Sequence, residues 1–466
     1  MTTAEATPEP DLETFEKEGD RAFLGHPKGL GYLAFVEGCE RFSYYSMQTL
    51  LALYMVKYLL LPEHFSHVAG LGWLQQWRYG GAEGQPLASA IFGDYTSLVY
   101  LTPILGGIAA DRWLGRRAAL IAGGAIMALG HFLMAFEGTF LLALLALIVG
   151  VGLFKGNIAS QVGELYGPGD NRRAMAFQIF YIAINVSVII APMISGTLGE
   201  DVGWHWGFGA AGVVMVAGLV LYLMARPYLP ADNRPAKRAK SAPREKLSRQ
   251  DRNRIVAVLV LVPVMGIALL TNQQISNAYL VWADQQFQLT FFGITMPTTW
   301  MVAIDAATAF TMLVAVAAFW KWYGTRTGRE PDELGKMIIG SVFTIAGGLC
   351  LVIAAATQGS GKIGLFWPLM FHLMNNIGFA HILPVSLALF TRLAPKALNA
   401  TVVGIYYLSF VLANQIVGEI GGWLSTMDTA QFWLIHVASA AIGLVAFAAF
   451  KLLLAERLMG ENEPAH

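Results

Sequence analysis

Glu37, Glu40, Arg41, Tyr44 and Tyr45 recur at i, i+3, i+4, i+7 and i+8 in the run Glu37-Gly-Cys-Glu-Arg-Phe-Ser-Tyr-Tyr45. On a helix they share one face. Two carboxylates beside a guanidinium can exchange protons, and the guanidinium can trade its carboxylate partners for those of a ligand. The surrounding sequence is apolar, and an ionisable group at bilayer depth costs about 2.5 to 3.5 kcal/mol on insertion scales. Three of them on one helix therefore imply a wet cavity or mutual pairing. A Glu37–Arg41 pair that only holds the packing is the plainer alternative. It is disfavoured because a buried ion pair seldom gains stability over apolar packing. Lys155, in Gly152-Leu-Phe-Lys-Gly-Asn157, is a second cation, with nothing within four residues along its helix to neutralise it. It needs a carboxylate from another helix or from a ligand. Asn185 offers both a donor and an acceptor, its alternative being an interhelical hydrogen bond; for Tyr100 the alternative is ordinary core packing.

Gly107-Ile-Ala-Ala-Asp-Arg-Trp-Leu-Gly-Arg-Arg117 combines small residues with charge. Small residues let helices approach closely, and Asp111, Arg112 and Arg116 can close an ion-pair lock, so this segment reads as gating. His372 and His381 fall on one side of a later apolar run, where either could relay a proton near neutral pH, although core histidines are commoner. Glu419, Asp284 and Asp94 lie toward the outer ends of their runs and are expected to face solvent. No GxxxxGK[ST], GxSxG or HExxH string occurs, so no catalytic residue is expected. Cys39 and Cys350 sit in apolar segments without a Cys/His cluster and read as small buried residues. Neither a metal site nor a disulfide framework is expected, and no cofactor beyond the proton as coupling ion.

The elements that must position these residues are helices in lipid. Of the 466 residues, 56% are hydrophobic and 13% charged, against roughly a quarter charged in soluble domains. Apolar stretches of about 20 residues, the length that spans a bilayer, recur along the chain. Runs separated by Gly, Pro or charge predict twelve helices near 30–58, 88–110, 117–136, 139–162, 174–197, 205–225, 254–281, 298–322, 336–357, 363–391, 400–425 and 429–455. The first 28 residues lack the apolar core of a signal peptide and are expected to stay in the cytoplasm. With that orientation about 26 of the 31 Lys and Arg fall in cytoplasmic segments, as the positive-inside rule requires. The expected organisation is a cytoplasmic tail at 1–28, a six-helix bundle at 29–225, a basic linker at 226–252, a second six-helix bundle at 253–456 and a tail at 457–466. The linker reads as a cytoplasmic tether touching anionic lipid. A formal net charge of zero offers no bulk case for nucleic acid. Two six-helix halves about a midplane site form the layout of the major facilitator fold.

Glu37-x-x-Glu40-Arg41-Phe42-x-Tyr44-Tyr45 resembles, position by position, the first-helix signature of the proton-dependent oligopeptide transporter family of the major facilitator superfamily. Supporting matches are the Asp111-to-Arg117 loop, Gly123-Gly124, Gly130-His131, the Lys155 segment, Phe180-Tyr181 with Asn185, and Leu383-Pro384-Val385. The resemblance implies a bacterial inner-membrane symporter, N- and C-termini cytoplasmic and functional as a monomer, that imports di- and tripeptides with protons by alternating access. Arg41 and Lys155 would hold the peptide carboxylate, while Tyr45, Tyr100 and Asn185 bond its backbone. Glu37 and Glu40, with Arg41, would couple the proton. Relatives carry a glutamate after a glycine on the tenth helix, where this chain has Gly378-Phe379. A seventh-helix acid and its first-helix basic partner are here Asn272 and Gln48. Where relatives have an eighth-helix asparagine stands Asp305, read as the replacement: a counter-ion for the peptide ammonium or for Lys155, and a further proton-coupling group. The alternative is a local aspartate satisfied by Thr298, Thr299 or water. Because this clamp is altered, a carrier of another small anionic or amino-acid-like solute is the second functional expectation.

Overall fold

The computed structural model describes residues 21–167, 170–230, 248–394 and 399–453. The expected terminal tails and the basic linker lie largely or wholly outside these residues. Long apolar runs punctuated by Gly and Pro fold as twelve long helices among the described residues: α1 Lys28–Tyr54, α2 Gly84–Ala109, α3 Arg116–Leu133, α4 Phe140–Glu164, α5 Arg172–Ala191, α6 Trp204–Ala225, α7 Arg249–Ala268, α8 Trp300–Thr327, α9 Glu333–Ala356, α10 Phe366–Leu393, α11 Asn399–Gly421 and α12 Thr429–Leu453. Their ends carry the expected signals. Ser248 and Asp251 form a reciprocal capping box at the start of α7, Asp332 accepts the Gly335 N–H at the start of α9, and Gly328 ends α8 at φ 67°.

Eight helices are apolar and long enough to cross a bilayer on composition alone, and α7 with its continuation, bent by 49°, is a ninth. Helix α1 has the length to span, 27 residues, but carries Glu37, Glu40 and Arg41 along it. The protein is a multi-pass membrane protein. One apolar core gathers residues from Leu30 to Leu229, and two others gather residues almost wholly from the second half, 257–450 and 275–433, with Leu53 crossing over.

Some features depart from simple spans. Helix α7 breaks after Ala268 and continues through Leu270–Gln273 and Ala278–Gln286. A small antiparallel hairpin, Thr290–Phe291 with Ile294–Thr295, leads into α8. Two short helices, Pro62–Phe65 and Leu71–Tyr79, fill the connection from α1 to α2. The halves meet along α2 and α11, where a Cβ added at Gly93 would lie 2.5 Å from the Gly418 Cα, so only glycine permits this crossing.

Candidate functional site

A cavity of about 310 Å³ lies between the halves, within the size range of small-molecule sites. Helix α1 supplies Tyr45 and Gln48 to its wall, α2 Tyr100, and α5 Asn185. From the other half, Asn272 continues α7, Asp305 comes from α8 and Phe379 from α10. Four of the expected site residues, Tyr45, Tyr100, Asn185 and Asp305, thus share one chamber. Asn185 donates one amide N–H to the Tyr181 carbonyl at 2.8 Å, which leaves its carbonyl oxygen as acceptor. Tyr100 stacks on Phe410 of α11 at 5.0 Å between ring centres, spanning the two halves.

Arg41 and Lys155 stand behind this wall. Arg41 is neutralised on its own helix: its Nε lies 3.1 Å from Glu37 and 2.5 Å from Glu40, and all three side chains are buried. The reason is helical spacing, since i and i+4 side chains stack on one face and the neighbouring Glu40 turns onto the same guanidinium. The three ionisable groups of α1 thus pair with one another, the mutual pairing that their placement on one helix implies. Partner capacity remains, because Arg41 Nη2, Glu37 Oε2 and Glu40 Oε1 are buried without a hydrogen bond.

Lys155 is half-buried, and among the described residues no carboxylate lies within ion-pair distance of it. Its ammonium instead rests 4.9 Å from the Tyr100 ring centre and 5.7 Å from that of Tyr44, whose ring also lies 5.3 Å from the Arg41 guanidinium. One aromatic ring thus stands between the two cations. Cation–π contact offsets part of the cost of an unpaired ammonium without consuming the charge.

Asp305 is held by neither Lys155, Thr298 nor Thr299. Its Oδ1 lies 2.9 Å from His372 Nδ1 and accepts from Asn376 Nδ2 at 2.8 Å, both on α10. The fully buried His372 reaches the Tyr279 hydroxyl through Nε2 at 2.8 Å. Asp305, His372 and Tyr279 thus form one hydrogen-bonded chain from the cavity wall into the C-terminal half. Both bonds to Asp305 fall on Oδ1, and the side chain still lines the cavity. His381 also reaches α8, accepting from Trp320 Nε1 at 2.9 Å.

At the end of the bundle where α1 finishes, expected from the sequence to be the outer end, polar contacts join the halves. Glu200 accepts the backbone N–H groups of Thr298 and Thr299 at 2.9 and 2.8 Å, capping the approach to α8. Lys57 pairs with Asp284 at 2.6 Å, and Thr298 also donates to Asp284. Asp94 takes bonds from Arg78, Tyr79 and Gln415. Asp284 and Asp94 are therefore bridging groups and not the solvent-facing carboxylates expected; Glu419 is exposed. Glu200 went unnoticed because its partners are backbone amides about 100 residues away, which leave no mark in side-chain spacing.

At the opposite end Arg116 pairs with Glu164 of α4 and lies 3.7 Å from Asp111, while Asp111 and Arg112 are exposed. These ion pairs stay within the N-terminal half, so the loop ties α3 to α4 and does not itself bridge the halves. Cys39 and Cys350 are half-buried and free, rather than fully buried.

The Major Facilitator Superfamily profile matches residues 33–418, the greater part of both bundles. The chain belongs to the Major Facilitator Superfamily. Within that superfamily its first-helix signature resembles that of the proton-dependent oligopeptide transporters, and the relatives it matches are named peptide transporters. It is 28% identical to the peptide transporter YePEPT of Yersinia enterocolitica, across 96% of this chain and 98% of that one. It is 26% identical to a di-/tripeptide transporter of Lactococcus lactis, across 95% and 98%. Among solved structures it resembles peptide transporter POT in complex with sulfate, with TM-score 0.83 and 25% identity over 97% of this chain and all of that one. A mutant of peptide transporter POT in complex with alafosfalin gives TM-score 0.79 at 26% identity, over 93% and 96%. The twelve helices in two bundles are thus the superfamily fold, and a transporter rather than an enzyme is what this family comprises.

Proposed function

We propose that this protein is a proton-coupled symporter that imports di- and tripeptides by alternating access across a bacterial inner membrane, as a monomer with both termini cytoplasmic. The observation that carries this reading is the polarity of the cavity: two basic side chains behind its N-terminal wall, an aspartate on its C-terminal wall, and neutral hydrogen-bonding groups between. A zwitterion with its charges a few bonds apart matches that layout. The peptide carboxylate would turn toward Arg41 and Lys155, the ammonium toward Asp305, and Tyr45, Tyr100 and Asn185 would take the backbone.

Coupling follows from the competition for Arg41. While Glu37 and Glu40 are ionised they hold the guanidinium; a proton on either weakens that hold, and Arg41 can then turn to an incoming carboxylate. Substrate and proton thereby favour each other's binding, which is the linkage a symporter needs. The closed outer end corresponds to a conformation facing the cytoplasm. Protons and peptide are the ligands in this reading, the bilayer is the surroundings, and no nucleic acid or cofactor takes part.

The test is counterflow of a labelled dialanine-type peptide in proteoliposomes, wild type against Lys155→Ala. Exchange by the wild type that falls at least about tenfold in the variant supports the reading; equal exchange by both sinks it. One observation favours the second cargo class, a small anion or amino-acid-like solute: Phe379, not a carboxylate, projects into the cavity from α10. Uptake that does not depend on a free peptide amino group would favour that class.

A further inference from the structure

At the outer rim, away from the central cavity, two histidines converge on one carboxylate. Helix α1 runs on as a wider turn, Met55–Leu59, into the short helix Pro62–Phe65, which carries His64; His67 follows three residues later. Glu137 meets them from the turn Glu137–Thr139 between α3 and α4. His64 Nδ1 lies 2.9 Å from Glu137 Oε1, and His67 Nδ1 lies 3.0 Å from Oε2. One ligand atom from each of the three falls within 4.8 Å of the other two.

These separations are close to those of a metal site. Bonds of about 2.0 to 2.2 Å to zinc put tetrahedral ligands roughly 3.3 to 3.5 Å apart. The two histidine–carboxylate separations are somewhat shorter than this and the two histidine nitrogens lie within 4.8 Å of each other, so side-chain shifts of about an ångström would let one ion replace the two bridging protons. The supporting contacts also fit. Tyr58 donates to Glu137 Oε1 at 2.7 Å and stacks on the His64 ring at 3.9 Å between centres, which fixes the orientation of both ligands. Two neutral imidazoles and one carboxylate carry a single negative charge, a donor set suited to a borderline-soft dication rather than to calcium or magnesium. The ligands come from two connections of the same half, so a bound ion would tie the α1–α2 connection to the α3–α4 turn without bridging the halves.

We propose that His64, His67 and Glu137 form a site for a divalent transition ion of the zinc class, with water completing the coordination. The site is independent of the cargo. It is tested on tag-free protein in detergent, stripped with chelator and titrated with zinc chloride by calorimetry at neutral pH. The expected result is one micromolar site whose affinity falls at least about tenfold in Glu137→Gln and in His67→Ala, together with a zinc-dependent rise in melting temperature that both variants lose. His67 is 63% exposed, so its replacement leaves folding intact even if Glu137→Gln does not. Wild type that binds no zinc, or that binds it no more tightly than His67→Ala, would overturn the assignment.

Discussion

Arg41 is the residue on which proton and substrate would compete, and its surroundings say how to separate them. Glu40 is fully buried and 2.5 Å from the guanidinium. Glu40→Gln keeps the shape but removes one charge, so Arg41 would keep only Glu37 as a charged partner and turn more readily to a carboxylate whatever the proton supply. Gradient-driven uptake is then expected to fall at least about tenfold while counterflow, which moves no net proton, stays within about threefold. Equal loss of both activities would mean that Glu40 serves packing alone. Asp305→Asn probes the other wall. The amide can still accept from His372 and Asn376 but offers no charge to an ammonium. The KM for free dipeptides is expected to rise at least about tenfold and that for amino-acetylated ones to change little. At this scale the sequence disclosed residue types and same-helix spacing, which is why the α1 face could be read directly. It did not disclose partners from other helices: His372 stands 67 residues from Asp305, Lys155 rests on aromatic rings instead of a carboxylate, and Glu137 lies 70 residues from His67. A cluster such as His64, His67 and Glu137 forms no local motif, because its members come from two separate connections.

The helices themselves were legible because each is a long apolar run bounded by charge, Gly or Pro, and period alone distinguishes it from a strand. The irregular elements were not. The break in α7 follows Ala268, five residues past Pro263, and depends on how the chain packs against α11 and α12. The crossing of α2 over α11 is equally a tertiary fact, although it turns on two glycines. In Gly418→Val a Cβ would stand 2.8 Å from the Gly93 Cα, against backbone that cannot step aside. The halves must part at the outer end. Labelling of a cysteine placed at Ser276, in a background lacking Cys39 and Cys350, by an impermeant maleimide from outside is expected to speed up several-fold. Unchanged labelling would show that this crossing does not hold the closure. Glu200→Gln tests the same closure by charge: the amide presents one neutral acceptor oxygen where the carboxylate presents two charged ones, so the hold on the Thr298 and Thr299 N–H groups weakens. A smaller increase in the same labelling is expected, with the Lys57–Asp284 pair still in place.

At the scale of the molecule, each half has its own apolar core, and the polar contacts between halves gather at the outer end. A ligand gripped at both ends would add a second tie, deep in the cavity, between the basic side of one half and Asp305 of the other. Such a ligand stabilises the closed assembly by mass action, by about 2.7 kcal/mol at a hundredfold excess over its Kd. A ligand held only by its carboxylate leaves the halves as loosely joined as before and, binding more weakly, stabilises less at the same concentration. Dialanine is therefore expected to raise the melting temperature of the detergent-solubilised protein by a few degrees, N-acetyl-dialanine by clearly less, and neither to act on Lys155→Ala. Differential scanning fluorimetry with the native tryptophans reads this directly. Should the acetylated peptide stabilise the wild type as strongly as dialanine, the C-terminal half does not hold the amino end, and the two-charge description of the cavity fails while the fold and the carboxylate site stand.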